Sequence, residues 1–215
     1  MSGNYELIIG NKNTSSWSLR PWLLMQAFNI PFKETLIRLR RPQTRSDILR
    51  HSPSGKVPAL KAGDLVIWDS LAIIEYLSER HPDTAIWPQD AAARAIARSV
   101  AAEMHSSFAA LRGELPMDFV NVPGFPQASD KVLADIGRIV EIWTDCRGRF
   151  GGEGAFLFGD FSAADAMFAP VASRFVTYEV ELGRFGDDGR AARYRDTIMA
   201  MPELRAWRDA AQLEG

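Results

Sequence analysis

The sequence predicts a mixed α/β half followed by an all-helical half. Residues 5–77 indicate short strands alternating with helices, whereas residues 91–210 show helical periodicity and almost no strand pattern. The dipeptide His81-Pro82 marks the change between them. We therefore predict one domain over residues 1–81, a linker over residues 82–90 and a second domain over residues 91–215.

The composition excludes several classes of protein. Of 215 residues, 47% are hydrophobic and 24% are charged, which is typical of a globular chain. The net charge of −2 is too balanced for binding nucleic acid through counterion release. The uncharged segment 21–32 is shorter than the roughly 20 apolar residues of a membrane span. Because the first residues also lack the pattern of a secretory signal, we expect a cytoplasmic protein without a nucleic acid or membrane partner.

The single cysteine supports this expectation. Cys146 cannot form an internal disulfide or a thiolate metal cage, and its isolation fits a reducing compartment. We expect it to be a buried small hydrophobic residue.

The first half begins with a strand, a helix and a second strand. Residues 5–9 form the first strand, and Ser15-Ser16-Trp17-Ser18 offers several N-caps to the helix that follows, with Pro21 in or near its first turn. The second strand lies around residues 32–37. A crossover of this length joins parallel strands.

A basic, irregular stretch then leads to a hairpin and another helix. Residues 57–60 and 65–68 flank a turn at Gly63, which is typical of an antiparallel hairpin. Asp69 then caps a helix that runs through Leu77. With a further helix within the irregular stretch, the first half has the order βαβ-α-ββα around a four-stranded mixed sheet.

The second half follows helical stripes. We predict one long helix from a stripe ending at Leu115 and a second from a stripe ending at Phe150. Ser162-Ala163-Ala164-Asp165 has the form of a capping box. The helix after it is apolar on nearly all sides, so we expect it at the centre of the bundle, with Pro170 kinking it.

Several catalytic signatures are missing from the sequence. It contains no Gly-x-Ser-x-Gly, no phosphate-binding loop around Gly55-Lys56 and no Gly-x-Gly-x-x-Gly. His51, His81 and His105 are too widely spaced for a metal site. We expect no bound metal.

Three polar segments remain as a candidate site: the serines at residues 15–18, Val57-Pro58 and Asp69-Ser70. The predicted strand order brings them to one end of the sheet, where helix N-termini offer free amides to an anionic, peptide-like ligand. If the Val57-Pro58 bond is cis, Val57 can pair its backbone with such a ligand.

At this point the chain resembles the cytosolic glutathione S-transferases of bacteria and other organisms. The resemblance lies in Ser-Pro-Ser-Gly-Lys-Val-Pro-Ala-Leu (52–60), Trp-Asp-Ser-Leu-Ala-Ile-Ile-Glu-Tyr-Leu (68–77) and the capping box, and it covers essentially the whole chain. It implies a thioredoxin-like N-terminal domain, an all-helical C-terminal domain and a homodimer. Ser-Ser-Trp-Ser-Leu-Arg (15–20) is most similar to the zeta-type Ser-Ser-Cys-Ser-Trp-Arg motif, with Trp17 in place of the cysteine.

The resemblance implies a role for each site residue. Ser15 would donate a hydrogen bond to the glutathione sulfur, as the catalytic residue. The implied glutathione-binding residues are Ser15, Trp17, Gln43, Lys56, Val57, Pro58, Asp69 and Ser70. The second substrate would lie between the domains against Trp17, Trp22, His105, Phe108 and Arg112, because spacing places the last three on one helical face. Met117 and Phe119 are further candidate walls.

The implied activity is addition of the glutathione thiolate to a small electrophile, as in detoxification. Glutathione is then a co-substrate rather than a resident cofactor. Trp17 weighs against zeta-type isomerisation and motivates one alternative, a non-catalytic glutathione-binding protein. Another alternative is glutathione-dependent isomerase or peroxidase activity.

Simpler interpretations also stay open. The serines are typical N-caps, Ser16 and Ser18 compete with Ser15 for the sulfur, and His105 also fits a structural role in the bundle.

Overall fold

The computed structural model describes residues 4–214. Its N-terminal half confirms the predicted α/β architecture. The elements in chain order are β1 (Tyr5–Gly10), α1 (Ser16–Ala27), β2 (Phe32–Ile37), α2 (Thr44–Leu49), β3 (Ala59–Ala62), β4 (Leu65–Ile67) and α3 (Ser70–Arg80).

The four strands form one mixed sheet in the order β2-β1-β3-β4. β1 runs parallel to β2 and antiparallel to β3, and Leu7 lies opposite both Glu34 and Leu60. Leu7, Ile8 and Ile9 are fully buried, so β1 is covered on both faces. The carboxyl end of β1, which leads into α1, is therefore held at the centre of the sheet.

Helix α1 begins directly after Ser15, the first of the three serines that could cap it. Ser15 is the N-cap, so Pro21 is the sixth helical residue and lies just past the first turn, which agrees with the predicted position in or near that turn. Because proline has no N–H, the carbonyl of Trp17 lacks its usual helical partner.

The C-terminal half is helical, as predicted. Residues 81–90 contain no helix or strand. The following helices are α4 (Ala91–Ser106), α5 (Ala109–Glu114), α6 (Asp130–Phe150), α7 (Ala163–Thr177), α8 (Arg190–Ala200) and α9 (Pro202–Gln212), with a 3-10 turn at Leu182–Phe185. Among the described residues, no helix is both long and apolar enough to cross a membrane.

The stripe that ends at Leu115 does not form a single helix, so that prediction is wrong. The chain breaks at Phe108, whose φ of 62° is left-handed, and α5 starts in a new direction. The side chain of Arg112 turns back and donates hydrogen bonds to the carbonyls of Met104 and Ser107. These carbonyls belong to the end of α4, so the guanidinium satisfies acceptors that the break would leave unpaired.

Helix α7 is the central element, as predicted. Every one of its residues except Val176 is buried, and it packs against α1, α4 and α8. Its N-terminus is held by Asp165, which accepts hydrogen bonds from the backbone and hydroxyl of Ser162 and from the backbone of Leu157. Burial nevertheless raises the pKa of Asp165 to about 6, because desolvation of the carboxylate outweighs these hydrogen bonds.

The raised pKa of Asp165 predicts a pH dependence of stability. Folding favours the protonated carboxyl, so the stability that this group contributes is complete below its unfolded pKa of about 3.9 and is lost as the pH rises through about 6. The unfolding free energy of the parent minus that of Asp165→Asn should fall by about 2 kcal/mol between pH 4 and pH 6.5. Urea titrations of both proteins across this range measure the difference, and a difference that rises with pH would contradict the assignment.

Candidate active site

A cleft of about 530 Å³ opens between the N-terminal half and α4. This volume is typical of small-molecule sites. The lining residues are Trp17, Ser54, Lys56, Val57, Pro58, Trp68, Asp69, Ser70 and His105. Val57-Pro58 and Asp69-Ser70 therefore line the cleft as predicted, whereas the serine segment reaches it only through Trp17.

The serines at the start of α1 differ sharply in position. Ser15 and Ser16 are buried but retain slight exposure, whereas Ser18 has none. The hydroxyls of Ser15 and Ser18 lie 2.7 Å apart, and the backbone N–H of Gly10 donates to Ser18 Oγ at 3.0 Å. Ser15 makes no side-chain capping bond and does not itself line the cleft; Trp17, two residues later, does.

Val57 precedes strand β3. The Val57-Pro58 peptide bond is cis. Among the described residues, the backbone of Val57 is absent from the backbone–backbone hydrogen bonds that occur outside regular helices and strands. Its N–H and C=O are thus available at the cleft wall.

Asp69 and Ser70 form the start of α3. Asp69 Oδ1 accepts hydrogen bonds from the backbone of Leu71 and Ala72, so the carboxylate caps the helix as predicted. Its Oδ2 lies 3.1 Å from Nε2 of His105 on α4, which joins the two halves of the protein. The buried Ser70 Oγ has no hydrogen-bond partner among the described residues.

Trp17 is surrounded by basic side chains. The guanidinium carbon of Arg20 lies 4.2 Å from the centre of its ring and that of Arg112 lies 5.1 Å away, and His105 meets the ring edge-on. Arg20 is fully buried, and its Nε and Nη1 lack partners among the described residues. Burial, with repulsion from Arg112 and Arg174, lowers the pKa of Arg20 well below its ordinary value.

Seven of the residues assigned to the site do not line the cleft, namely Ser15, Trp22, Gln43, Phe108, Arg112, Met117 and Phe119. Gln43 is the exposed N-cap of α2 and does not line the cleft. Trp22 donates to Glu34 and packs edge-on against Trp207, away from the cleft. Phe108 is buried at the break after α4, so the common helical face assumed for His105, Phe108 and Arg112 does not exist.

Sequence reasoning also missed two lining residues. Ser54 and Trp68 both line the cleft. Both lie inside the two motifs quoted above, Ser54 two residues before Lys56 and Trp68 directly before Asp69. This position in the sequence could have identified them as lining residues. In the part of the chain that the structure describes, no group of three or more His, Cys, Asp or Glu side chains is placed to hold a metal ion.

The architecture is a thioredoxin-like domain joined to a helical domain. Residues 14–80 match the family "Glutathione S-transferase, N-terminal domain", and residues 126–210 match "Glutathione S-transferase, C-terminal domain". The chain belongs to the glutathione S-transferase family.

Individual relatives support this membership. Human glutathione S-transferase theta-1 is 30% identical over 166 residues, which cover 70% of this chain and 68% of that protein. A probable maleylacetoacetate isomerase from Caenorhabditis elegans is 35% identical over 89 residues, and that match spans only 41% of either chain. Zeta-class proteins are also among the relatives.

The fold agrees with solved structures. A glutathione transferase homologue from Burkholderia, solved with bound glutathione, superposes with a TM-score of 0.70 at 21% identity and covers 99% of this chain and 100% of that one.

The position of Arg112 predicts that its replacement destabilises the protein more than replacement of an exposed arginine does. Replacing Arg112 with Met should lower the unfolding free energy by about 1–3 kcal/mol, because two carbonyls at the end of α4 lose their donor. Arg138→Met is the matched control, since its ion pairs with Glu103 and Glu141 are exposed and should contribute about 1 kcal/mol or less. Urea unfolding measures both; equal losses would contradict the capping role.

Proposed function

We propose that this protein is a glutathione transferase, which ionises the thiol of bound glutathione for attack on a small electrophile. The observation that carries the proposal is the cleft itself. It brings together the backbone of Val57, the free hydroxyl of Ser70 and the start of α1. An extended peptide with a charged end suits such a surface.

The γ-glutamyl end of glutathione fits the start of α3. The Asp69 carboxylate suits its ammonium group, and Ser70 Oγ, buried without a partner, suits its carboxylate. The N-terminal end of the helix also favours the anion. Asp69 keeps capacity for this contact, because a carboxylate has about four acceptor sites and only three donors reach it here.

The remaining parts of the tripeptide would follow the cleft wall. The cysteinyl N–H and C=O pair with the backbone of Val57 beside Pro58, and the glycyl carboxylate lies near the exposed Lys56. Gln43, the N-cap of α2, lies outside the cleft. It would reach this carboxylate only if the bound peptide extended beyond the residues that line the cleft.

The reaction depends on the acidity of the thiol. A free cysteine thiol has a pKa of about 8.5, and its thiolate is the nucleophile. In the proposed mechanism the Ser15 hydroxyl donates a hydrogen bond to the sulfur anion, and the N-terminus of α1 adds positive potential. Both favour the thiolate over the thiol. Ser15 itself is not the nucleophile, because the attacking sulfur belongs to the ligand.

The electrophile would lie against Trp17 and His105, which both line the cleft. Arg112, close to the ring of Trp17, contributes positive charge to this wall. Trp22 and Phe108 have no place in this pocket.

The names of some relatives raise isomerisation as a second candidate activity. The C. elegans relative is named a maleylacetoacetate isomerase. In this chain, Trp17 occupies the position of the zeta-type cysteine and fills it with an indole bounded by Arg20 and Arg112. We therefore rank transfer above isomerisation.

A homodimer in the cytoplasm is part of the proposal. Residues 1–82 hold 11 basic and 7 acidic side chains, and residues 83–215 hold 14 and 20. These opposite charges suit contact between the two halves of different subunits about a two-fold axis. Light scattering should give twice the chain mass of 23.9 kDa, and a monomer at all concentrations would contradict the dimer.

The decisive test replaces Ser15 with Ala. The pKa of bound glutathione, followed by the ultraviolet absorbance of its thiolate, should rise by about one to two units, because a hydrogen bond to a charged group is lost. The kcat/KM with an aryl halide should fall accordingly, with little change in glutathione affinity. Ser16→Ala is the matched control and should leave the thiol pKa unchanged.

Two results would count against the proposal. An unchanged thiol pKa in Ser15→Ala would refute the role of Ser15. Tight glutathione binding without turnover of aryl halides, enones, epoxides or peroxides would favour a non-catalytic binding protein.

A further inference from the structure

Ser18 is a buried hydroxyl that the proposed mechanism has not used. It is the third residue of α1, and its side chain has no exposure to solvent. Residues three apart on a helix lie on the same side, so Ser18 faces the same direction as Ser15. The hydroxyl oxygens are 2.7 Å apart, which is the usual length of a hydrogen bond between two hydroxyl groups.

The two contacts of Ser18 favour one direction for its hydrogen bonds. The Gly10 N–H donates to Ser18 Oγ at 3.0 Å, so this oxygen already acts as an acceptor. Its own proton is out of reach of water and needs an acceptor, since an unmade buried hydrogen bond costs about 1–3 kcal/mol. Among the described residues, Ser15 Oγ is the acceptor within reach.

This direction leaves the proton of Ser15 free. If Ser18 donates to Ser15 Oγ, the Ser15 proton cannot point at Ser18 and is directed elsewhere. Ser15 keeps about 5% of its surface exposed, whereas Ser18 keeps none, so the free proton lies on the outer of the two hydroxyls. Ser15 is also not engaged in capping α1.

We propose that Ser18 is a positioning residue that orients the Ser15 hydroxyl toward the glutathione sulfur. This inference rests on the proposed function. The hydrogen bonds run from Gly10 N–H to Ser18, from Ser18 to Ser15 and from Ser15 to the thiolate. Each bond polarises the next, so the chain strengthens the last one. No proton moves along it, and its role is to keep Ser15 a donor.

This chain of hydrogen bonds also gives each of the three serines of the motif a different role. Ser18 is too deep to touch a ligand, and it acts only through Ser15. Among the described residues, no hydrogen bond joins the hydroxyl of Ser16 to that of Ser15 or Ser18. In the proposed arrangement, Ser15 is the hydroxyl that this chain of hydrogen bonds directs toward the sulfur.

The test is a mutant cycle read out as the thiol pKa of bound glutathione. Ser18→Ala should raise this pKa and reduce the thiolate fraction near pH 6.5 by about threefold to tenfold, with the KM for glutathione nearly unchanged. Ser18→Thr, which keeps a hydroxyl, should restore the parent value. In a Ser15→Ala background, Ser18→Ala should have no further effect on the thiol pKa, because Ser18 acts only through Ser15.

The outcomes separate this inference from the proposed function. If Ser15→Ala raises the thiol pKa but Ser18→Ala does not, or if the two changes are additive, the positioning role is wrong and the transferase proposal stands. If Ser15→Ala has no effect, the proposed function fails first. Should Ser18→Ala not fold, because the buried Gly10 N–H loses its acceptor, Ser18→Cys replaces it. Because the S–H group that Ser18→Cys introduces is a weak donor, the thiol pKa of bound glutathione should be higher than in the parent. The difference between absorbance spectra recorded with and without glutathione measures this pKa, and a parent-like value would overturn the inference.

Discussion

The burial of α7 is the constraint on which the position of the active site depends. Its side chains are covered on nearly all sides, and α1 of the other half packs directly against it. Because α1 lies between α7 and the sheet, nearly all of it is buried as well. A helix fixed on both sides cannot turn about its axis without opening the core. The hydroxyls at its first turn are thus held in place by the helical domain.

Charge buried near the cleft follows from the same packing. Arg20, Arg112 and Arg174 lie close enough to affect one another electrostatically at the junction of the two halves. Arg112 and Arg174 are compensated by backbone carbonyls, at Met104 and Ser107 and at Leu115 and Pro170 respectively. The carbonyl groups satisfy the hydrogen bonds of these two guanidinium groups but do not neutralise their charge. The wall behind Trp17 therefore stays positive. Such a wall favours an anion in the cleft.

The sequence predicted the site unevenly, and the reasons are physical. Asp69 and Ser70 could be placed because a helix start determines its own geometry locally. Trp22 could not be placed, because it shares α1 with Trp17 and only the packing of α9 decides that it meets Trp207. The break at Phe108 was hidden for a similar reason. Its apolar side chain continues the stripe, and the stabilising contact comes from Arg112 in the next helix.

The sequence by itself determined the two-part architecture, the strands and their succession along the chain, the capping box of α7 and the three segments predicted for the site. Each of these follows from periodicity or from contacts within a few residues along the chain. Tertiary structure alone decided that Ser18 accepts a hydrogen bond from Gly10 at the end of β1. It also decided that Asp69 reaches His105 across the cleft. Those contacts join groups on different elements, and their distances are set by how the elements pack.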